Sequence, residues 1–150
     1  MAIFVADEQP VPLDLERLRR LAAHVLADQR VPGSMELSIL CVDADAVAQL
    51  NARHLGAKDP TDVLAFPMDL PGESLPGEPA ILGDVVVCPE VAARQAQAQG
   101  SSLEAELDLL VVHGILHLLG HDHVDDHERR RMFDLTERLL SVFRAQEAPA

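Results

Sequence analysis

The sequence predicts an α+β fold built from four short strands and five to six helices. Three observations lead to it. Apolar runs of strand length occupy residues 3–5, 37–42, 63–66 and 81–88. Between and after them, apolar residues recur at three- and four-residue spacing, the period of a half-buried helix. Gly and Pro fall at the junctions rather than inside the runs. The chain has 150 residues, the size of one ordinary domain. No repeat or internal boundary divides it, so residues 1–150 read as a single domain.

In chain order, residues 3–5 form an edge strand before Pro10 and Pro12. Asp14 caps a helix that buries Leu15, Leu18, Leu21, Ala22, Val25 and Leu26, and Pro32-Gly33-Ser34 ends it. Residues 37–42 are apolar at nearly every position, the pattern of a central strand. Asp43 caps a short helix through about Asn51, and Gly56 and Pro60 mark a loop. The strand at 63–66 stops at Pro67. A long loop follows through Pro71, Gly72, Pro76, Gly77 and Pro79. The strand at 81–88 is interrupted by Gly83-Asp84. Pro89 suits the first position of a helix through Gln99, which Gly100 closes.

Ser101 and Glu104 match a capping box. The helix they start runs to Leu119 and is apolar nearly all round, which makes it the central buried helix. Gly120 is placed to end it in the left-handed conformation. Asp125 or Asp126 caps a last helix carrying Met132, Phe133, Leu135, Leu139, Leu140 and Phe143, and residues 146–150 form a frayed tail.

Apolar residues make up 48% of the chain and the formal net charge is −13. This argues against a non-specific nucleic-acid coat or an anionic membrane surface as partner. Lys58 is the single Lys, and the one basic run, Arg129-Arg130-Arg131, is offset by Asp125, Asp126 and Glu128 as a solvated helix face. Cys41 and Cys88 lie in apolar runs with no C-x-x-C, as expected of two buried thiols in a reduced cytosol. The N-terminus has no signal-peptide pattern. The longest mainly apolar stretch, residues 107–119, holds Asp108 and two His and is too short for a membrane span. A cytoplasmic protein without membrane contact is expected.

The chemistry concentrates between residues 113 and 127, which hold five of the seven histidines. His113, His117, Gly120 and His123 form H-x-x-x-H-x-x-G-x-x-H. On a helix, His113 and His117 share one face. Gly120 lets the chain reverse and bring His123 back. Three imidazoles with an open fourth position are a catalytic zinc arrangement, although three His also suit nickel, copper or iron. The pattern matches the zinc-protease signature in every ligand position, but Gly114 stands where those proteases carry a Glu general base. That disfavours a metzincin-like peptidase. It leaves the water of the open metal position to act alone or with a carboxylate. Asp122, Asp62 and Asp84 are the candidates, whereas Glu104 and Asp108 lie off the ligand face. His121 reads as a supporting or surface residue, and His127 as a first-turn residue of the last helix.

These residues resemble the signature of the bacterial YbeY family, the rRNA maturation endoribonucleases. Glu36-Leu-Ser-Ile-Leu with Val42-Asp43 and Leu50-Asn51, Pro60-Thr-Asp-Val-Leu-Ala-Phe-Pro67, and Leu82-Gly-Asp-Val-Val-Val-Cys-Pro-Glu90 are similar to further family segments. Together they cover roughly residues 36–126 in order. The resemblance implies a small mixed four-stranded sheet, mostly parallel with one antiparallel strand, and the ligand helix packed on it. It implies a single-strand-specific metallo-endoribonuclease of 16S rRNA 3′-end maturation and 70S ribosome quality control. Zn2+ would be held by His113, His117 and His123, and the partners would be single-stranded rRNA, the small ribosomal subunit and its proteins. The chain departs from the family at Leu55, where an Arg is common, and at Ala65, where a Ser is usual. Arg53 and Lys58 are then the nearest cations and the candidate substrate-binding residues. A ribosome-assembly binding module with a structural zinc is the alternative from another class.

Overall fold

A computed structural model describes residues 2–55, 62–69, 80–121 and 125–148; the structural description is of these, without the side chains of His54 and Leu55. Four strands, β1 (Ala2–Glu8), β2 (Met35–Val42), β3 (Val63–Pro67) and β4 (Ala80–Val87), form one sheet in the order β1-β2-β4-β3. β1 and β4 run parallel to β2, and β3 pairs antiparallel with β4. Five helices occur among the described residues: α1 (Leu15–Asp28), α2 (Ala44–Leu55), α3 (Pro89–Gln99), α4 (Leu103–Leu118) and α5 (Asp126–Glu147). The mixed α+β architecture is the expected one, with β1 at an edge and β2 inside. The loops marked by Gly56, Pro60 and residues 70–79 lie outside the described residues.

Alternation along the strands sorts the helices into layers. Ile39 and Cys41 of β2 and Val85 and Val87 of β4 face the main core, where they meet α1, α4 and α5. Val42, Leu64 and Val86 face the other way and pack with Val47 of α2 in a smaller cluster. α4 touches α1, α3, α5, β3 and β4, which its all-round apolar surface requires. Its most deeply buried carboxylate, Asp108, receives two hydrogen bonds from Arg17 of α1, at 2.6 and 3.0 Å, and lies 3.5 Å from Arg144 of α5. The hydrogen bond that Arg17 donates to Asp108 raises the Arg17 pKa above its ordinary value despite partial burial. Such a paired carboxylate fixes how three helices meet and is not available for chemistry.

Helix ends follow the caps in three cases: Asp14, Asp43 and Asp125 each accept from the backbone N–H three residues on. Elsewhere the structure differs from expectation. Ser102, not Ser101, caps α4, accepting from the Ala105 N–H at 3.1 Å. Ser101 is already committed to closing α3, its N–H donating to the Ala96 carbonyl at 2.8 Å. α1 stops at Asp28, ahead of Pro32-Gly33-Ser34. Arg30 takes the left-handed conformation (φ 57°) while the Val31 N–H bonds back to Leu26 at 3.0 Å. Burial of both Leu26 and Val31 offsets the cost of a non-glycine residue there. α5 reaches Glu147, because its carboxylate is held by Arg20 at 2.7 Å, so residues 146–147 are not frayed. Of the apolar residues carried by α5, Met132, Leu139, Leu140 and Phe143 are buried, whereas Phe133 is 63% exposed.

β4 also runs unbroken through Gly83-Asp84. A bulge against β2 absorbs one residue there, since Glu36 pairs with Ile81 and Leu37 with Gly83. Gly83 has φ +150°, and a Cβ on it would lie 2.4 Å from the Phe66 carbonyl oxygen and 2.8 Å from a Leu118 methyl. The backbone oxygen cannot yield, so Gly83→Ala is expected to destabilise the fold by about 3–5 kcal/mol from overpacking and backbone strain together. A thermal melt should show a Tm lowered by roughly 6–20 °C.

Both cysteines are fully buried and unbridged. Burial pushes the Cys41 thiol up to about 12 and that of Cys88 above its ordinary value. Neither forms thiolate at pH 8, so a colorimetric thiol reagent should titrate neither in the native protein and both after denaturation.

Candidate metal centre

The site is built on the C-terminal half of α4. His113 and His117 are half-buried, one turn apart, on the side facing β3. Their Nε2 atoms lie 2.9 Å apart, with ring centroids at 4.4 Å and planes at 72°. The two nitrogens therefore address one point. Two imidazole ligands on a tetrahedral zinc at roughly 2.0–2.1 Å would stand about 3.3 Å apart, so the pair fits a shared metal after a shift of less than half an ångström. Donor type fits as well, since neutral imidazole is the commonest metal ligand.

α4 ends directly after this pair. Gly120 sits at φ +92°. Its N–H donates to the His117 carbonyl and the His121 N–H to the Leu116 carbonyl, both at 3.0 Å. This closure is the left-handed stop expected from Gly120, and it ends α4 directly after the histidine pair. His123 and Asp122 lie outside the described residues. Among the described residues no group of three His, Cys, Asp or Glu is placed to hold a metal. His121 does not join the pair; its Nε2 is 3.2 Å from Oε1 of Gln29, beyond the end of α1. His127 is exposed on the first turn of α5, 2.8 Å from Arg131.

Gly114 has a packing reason. α4 presses onto β4 at this residue, and a Cβ there would lie 2.6 Å from Val85 Cγ1 and 3.2 Å from Val85 Cγ2. The position that carries a catalytic Glu in zinc proteases faces the sheet here and has no room for a side chain. The same contact seats the two flanking histidines at a fixed height above the sheet.

Two clefts meet at His113. One, of about 430 Å³, separates β3 from α4 and is lined by Leu64, Ala65, Pro67, Gly114 and both histidines. The other, of about 350 Å³, runs between α4 and α5. Leu109, Leu110, Met132 and Thr136 line its interior, and the exposed Arg129 and Phe133 stand at its outer end. Asp62 lines this second cleft with His113. With the Gln95 amide turned so that its nitrogen faces carboxylates, that nitrogen lies 3.1 Å from Asp62 Oδ2 and 3.2 Å from Glu106 Oε1.

Of the sequence candidates, the structure thus brings His113 and His117 together, and Asp62 shares one cleft with His113. Asp84 is on the other face of the sheet, in alternation with Val85 and on the side of Val86 and α2. Arg53 is exposed near the end of α2 and lines neither cleft. Lys58 lies outside the described residues, as does the side chain of Leu55. Arg129 and Phe133 were not singled out as site residues by the sequence. The signal available was their four-residue spacing, which puts both on one side of α5.

Comparison with known proteins gives the chain its family. A family model described as Endoribonuclease YbeY matches residues 4–144. The Endoribonuclease YbeY of Thermobifida fusca is 52% identical over 96% of this chain and 95% of its own. That of Salinispora tropica is 48% identical over 97% of this chain and 98% of its own. A Thermotoga maritima protein of known solution structure superposes with a TM-score of 0.62 at 25% identity, over 97% of this chain and 93% of that one. With the histidine helix, the mixed sheet and nearly full-length similarity in agreement, this chain belongs to the YbeY family.

Proposed function

We propose that this protein is a single-strand-specific, zinc-dependent endoribonuclease of the cytoplasm, acting in 16S rRNA 3′-end maturation and 70S ribosome quality control. The observation that carries the reading is the His113–His117 pair, whose Nε2 atoms meet at 2.9 Å where two clefts open. The relatives' name, Endoribonuclease YbeY, supplies the reaction class.

His113, His117 and His123 are the residues that would hold zinc. A bound zinc supplies Lewis acidity toward a phosphoryl oxygen and lowers the pKa of water toward neutrality. Because three neutral imidazoles leave its charge uncancelled, the pocket becomes locally positive on a chain of net charge −13. The protein's own part is to hold and orient. Gly114 against Val85 fixes the height of the ligand helix, and the Gly120 closure sets where the chain turns back. Asp62 is the one carboxylate that lines either cleft among the described residues, and Gln95 orients it. In this reading it would accept a proton from a group bound beside His113. No helix among the described residues is long and apolar enough to cross a membrane. The partners in this reading are single-stranded rRNA, the small ribosomal subunit and its proteins.

The competing readings lose support at particular residues. A peptidase of the zinc-protease kind needs a Glu where Gly114 has no space. A closed structural zinc needs a fourth protein ligand; His121 is engaged with Gln29, and the other candidate, Asp122, lies outside the described residues. Incubation with matched single-stranded and duplex RNAs, with and without chelator, tests the proposal. The single strand is expected to be cut, the duplex spared, chelator to stop cleavage and zinc to restore it. Equal cutting of both RNAs, or zinc-dependent turnover of casein alone, contradicts it.

A further inference from the structure

We propose that the groove between α4 and α5 is a nucleobase subsite, in which one unstacked base of the RNA lies against the ring of Phe133 while its phosphate meets Arg129. The inference rests on the ribonuclease reading above and deepens it by saying where the strand leaves the metal centre.

Four observations carry it. First, the groove is continuous with the centre, since His113 lines its inner end. Second, Phe133 is 63% exposed on a helix whose buried positions are Met132, Thr136, Leu139, Leu140 and Phe143. A large aromatic ring held in water is available for stacking, and single-stranded RNA is bound by stacking unstacked bases on aromatic side chains. Third, Arg129 is one turn before Phe133 on the same side of α5, about 6 Å along the axis, a separation that suits the phosphate and base of a single nucleotide. Its guanidinium is exposed and only 3.8 Å-paired with Asp126, a contact that a phosphate can replace.

Fourth, charge sorts the nucleotide. The groove interior is apolar apart from Thr136, whose hydroxyl donates to the Met132 carbonyl at 2.8 Å, and Asp62. A carboxylate there repels phosphate but accepts from the exocyclic amine of cytosine or adenine. The base therefore enters the groove and the phosphates remain at its ends, toward Arg129 and toward the metal centre. The volume, about 350 Å³, lies at the small end of the roughly 300–1,000 Å³ of ligand clefts, the scale of one nucleotide. A duplex keeps its bases stacked and cannot supply one, so the subsite also favours single strands.

The test is a set of Phe133 variants of the zinc-loaded, full-length protein, measured at fixed salt with a short single-stranded RNA. Phe133→Ala is expected to weaken binding and raise the KM for cleavage about 5–100-fold, with zinc content and Tm unchanged. Phe133→Tyr should restore both, whereas Phe133→Leu, which keeps apolar area without a π face, should not. An abasic residue moved along the RNA should weaken wild-type binding at one position, and at that position the Phe133→Ala penalty should disappear. If wild type cuts single-stranded RNA and Phe133→Ala does so with an unchanged KM, the subsite is wrong while the ribonuclease reading stands. Unchanged RNA affinity with lost binding to small ribosomal subunits would likewise overturn it, in favour of a protein-docking patch. If wild type neither binds nor cuts single-stranded RNA, the underlying reading fails and the subsite with it.

Discussion

His117→Ala is expected to abolish zinc binding and RNA cleavage together while leaving the fold in place. The Nε2 of His117 lies 2.9 Å from that of His113, so each ring is half of a two-nitrogen arrangement. Removing a supporting residue around a metal typically costs about 10–100-fold in affinity; removing a ligand costs more, and cleavage that depends on the metal falls with it. The fold survives because His117 is half-buried at the cleft, while the neighbouring Ile115, Leu116 and Leu118 carry the packing of this turn. A change in stability of at most about 1 kcal/mol is expected. Elemental analysis, a gel assay and a thermal melt on one preparation separate these effects. Loss of cleavage with retained zinc would show that His117 serves the reaction in another way.

Gly114→Glu should unfold the protein rather than turn it into a peptidase. The substitution restores the zinc-protease sequence H-E-x-x-H, so a purely sequence-based account predicts gained proteolysis. The structure predicts the opposite. The first added carbon would lie 2.6 Å from Val85 Cγ1, and a β-branched Val has little rotamer freedom to withdraw. The carboxylate beyond it would be buried against the sheet with no cation prepared for it, which adds several kcal/mol to the overpacking penalty. The total approaches the whole stability of an ordinary domain. Gly114→Ala isolates the steric part, with a loss of about 1–3 kcal/mol partly offset by the better helix propensity of Ala. Combining it with Val85→Ala should cost less than the two single changes added, because the second removes the atoms that the first strikes. Soluble, folded Gly114→Glu protein with unaltered Tm would refute this packing account.

The fold was legible where one local signal acted alone. The caps Asp14, Asp43 and Asp125, Pro89 at the start of α3, and the glycines after α3 and α4 all act through adjacent backbone groups. Reading failed where two signals competed. Ser101 and Ser102 both resemble a cap, and only the closure of α3 decides between them. The end of α1 is set by contact between Leu26 and Val31 rather than by the more conspicuous Pro32-Gly33. Gly83-Asp84 resembled a break because a bulge and an interruption share the same residues.

The same division runs through the candidate site. His113 and His117 were legible because helical spacing alone puts them on one face. Which carboxylate shares their cleft was not, since Asp62 and Asp84 both lie in or beside strands. Asp84 lies within β4 on the side of Val86 and α2, whereas Asp62 precedes β3 in a bend, outside strand alternation, and lines a cleft with His113. Gly114 was legible as a missing base but not as a contact, because Val85 approaches it from a distant part of the chain. Phe133 was legible only as an apolar residue of the last helix, and its exposure follows from its place beside the buried stripe of Met132, Thr136, Leu139, Leu140 and Phe143.

The central claim is that one metal at the His113–His117 pair is required for RNA cleavage. The most direct test is to titrate zinc into metal-free protein while following cleavage of a single-stranded RNA in the same samples. The account predicts no cleavage without metal, a linear rise, and a plateau at about one zinc per chain. Full cleavage by the metal-free protein, or bound zinc that leaves cleavage unchanged, would contradict it.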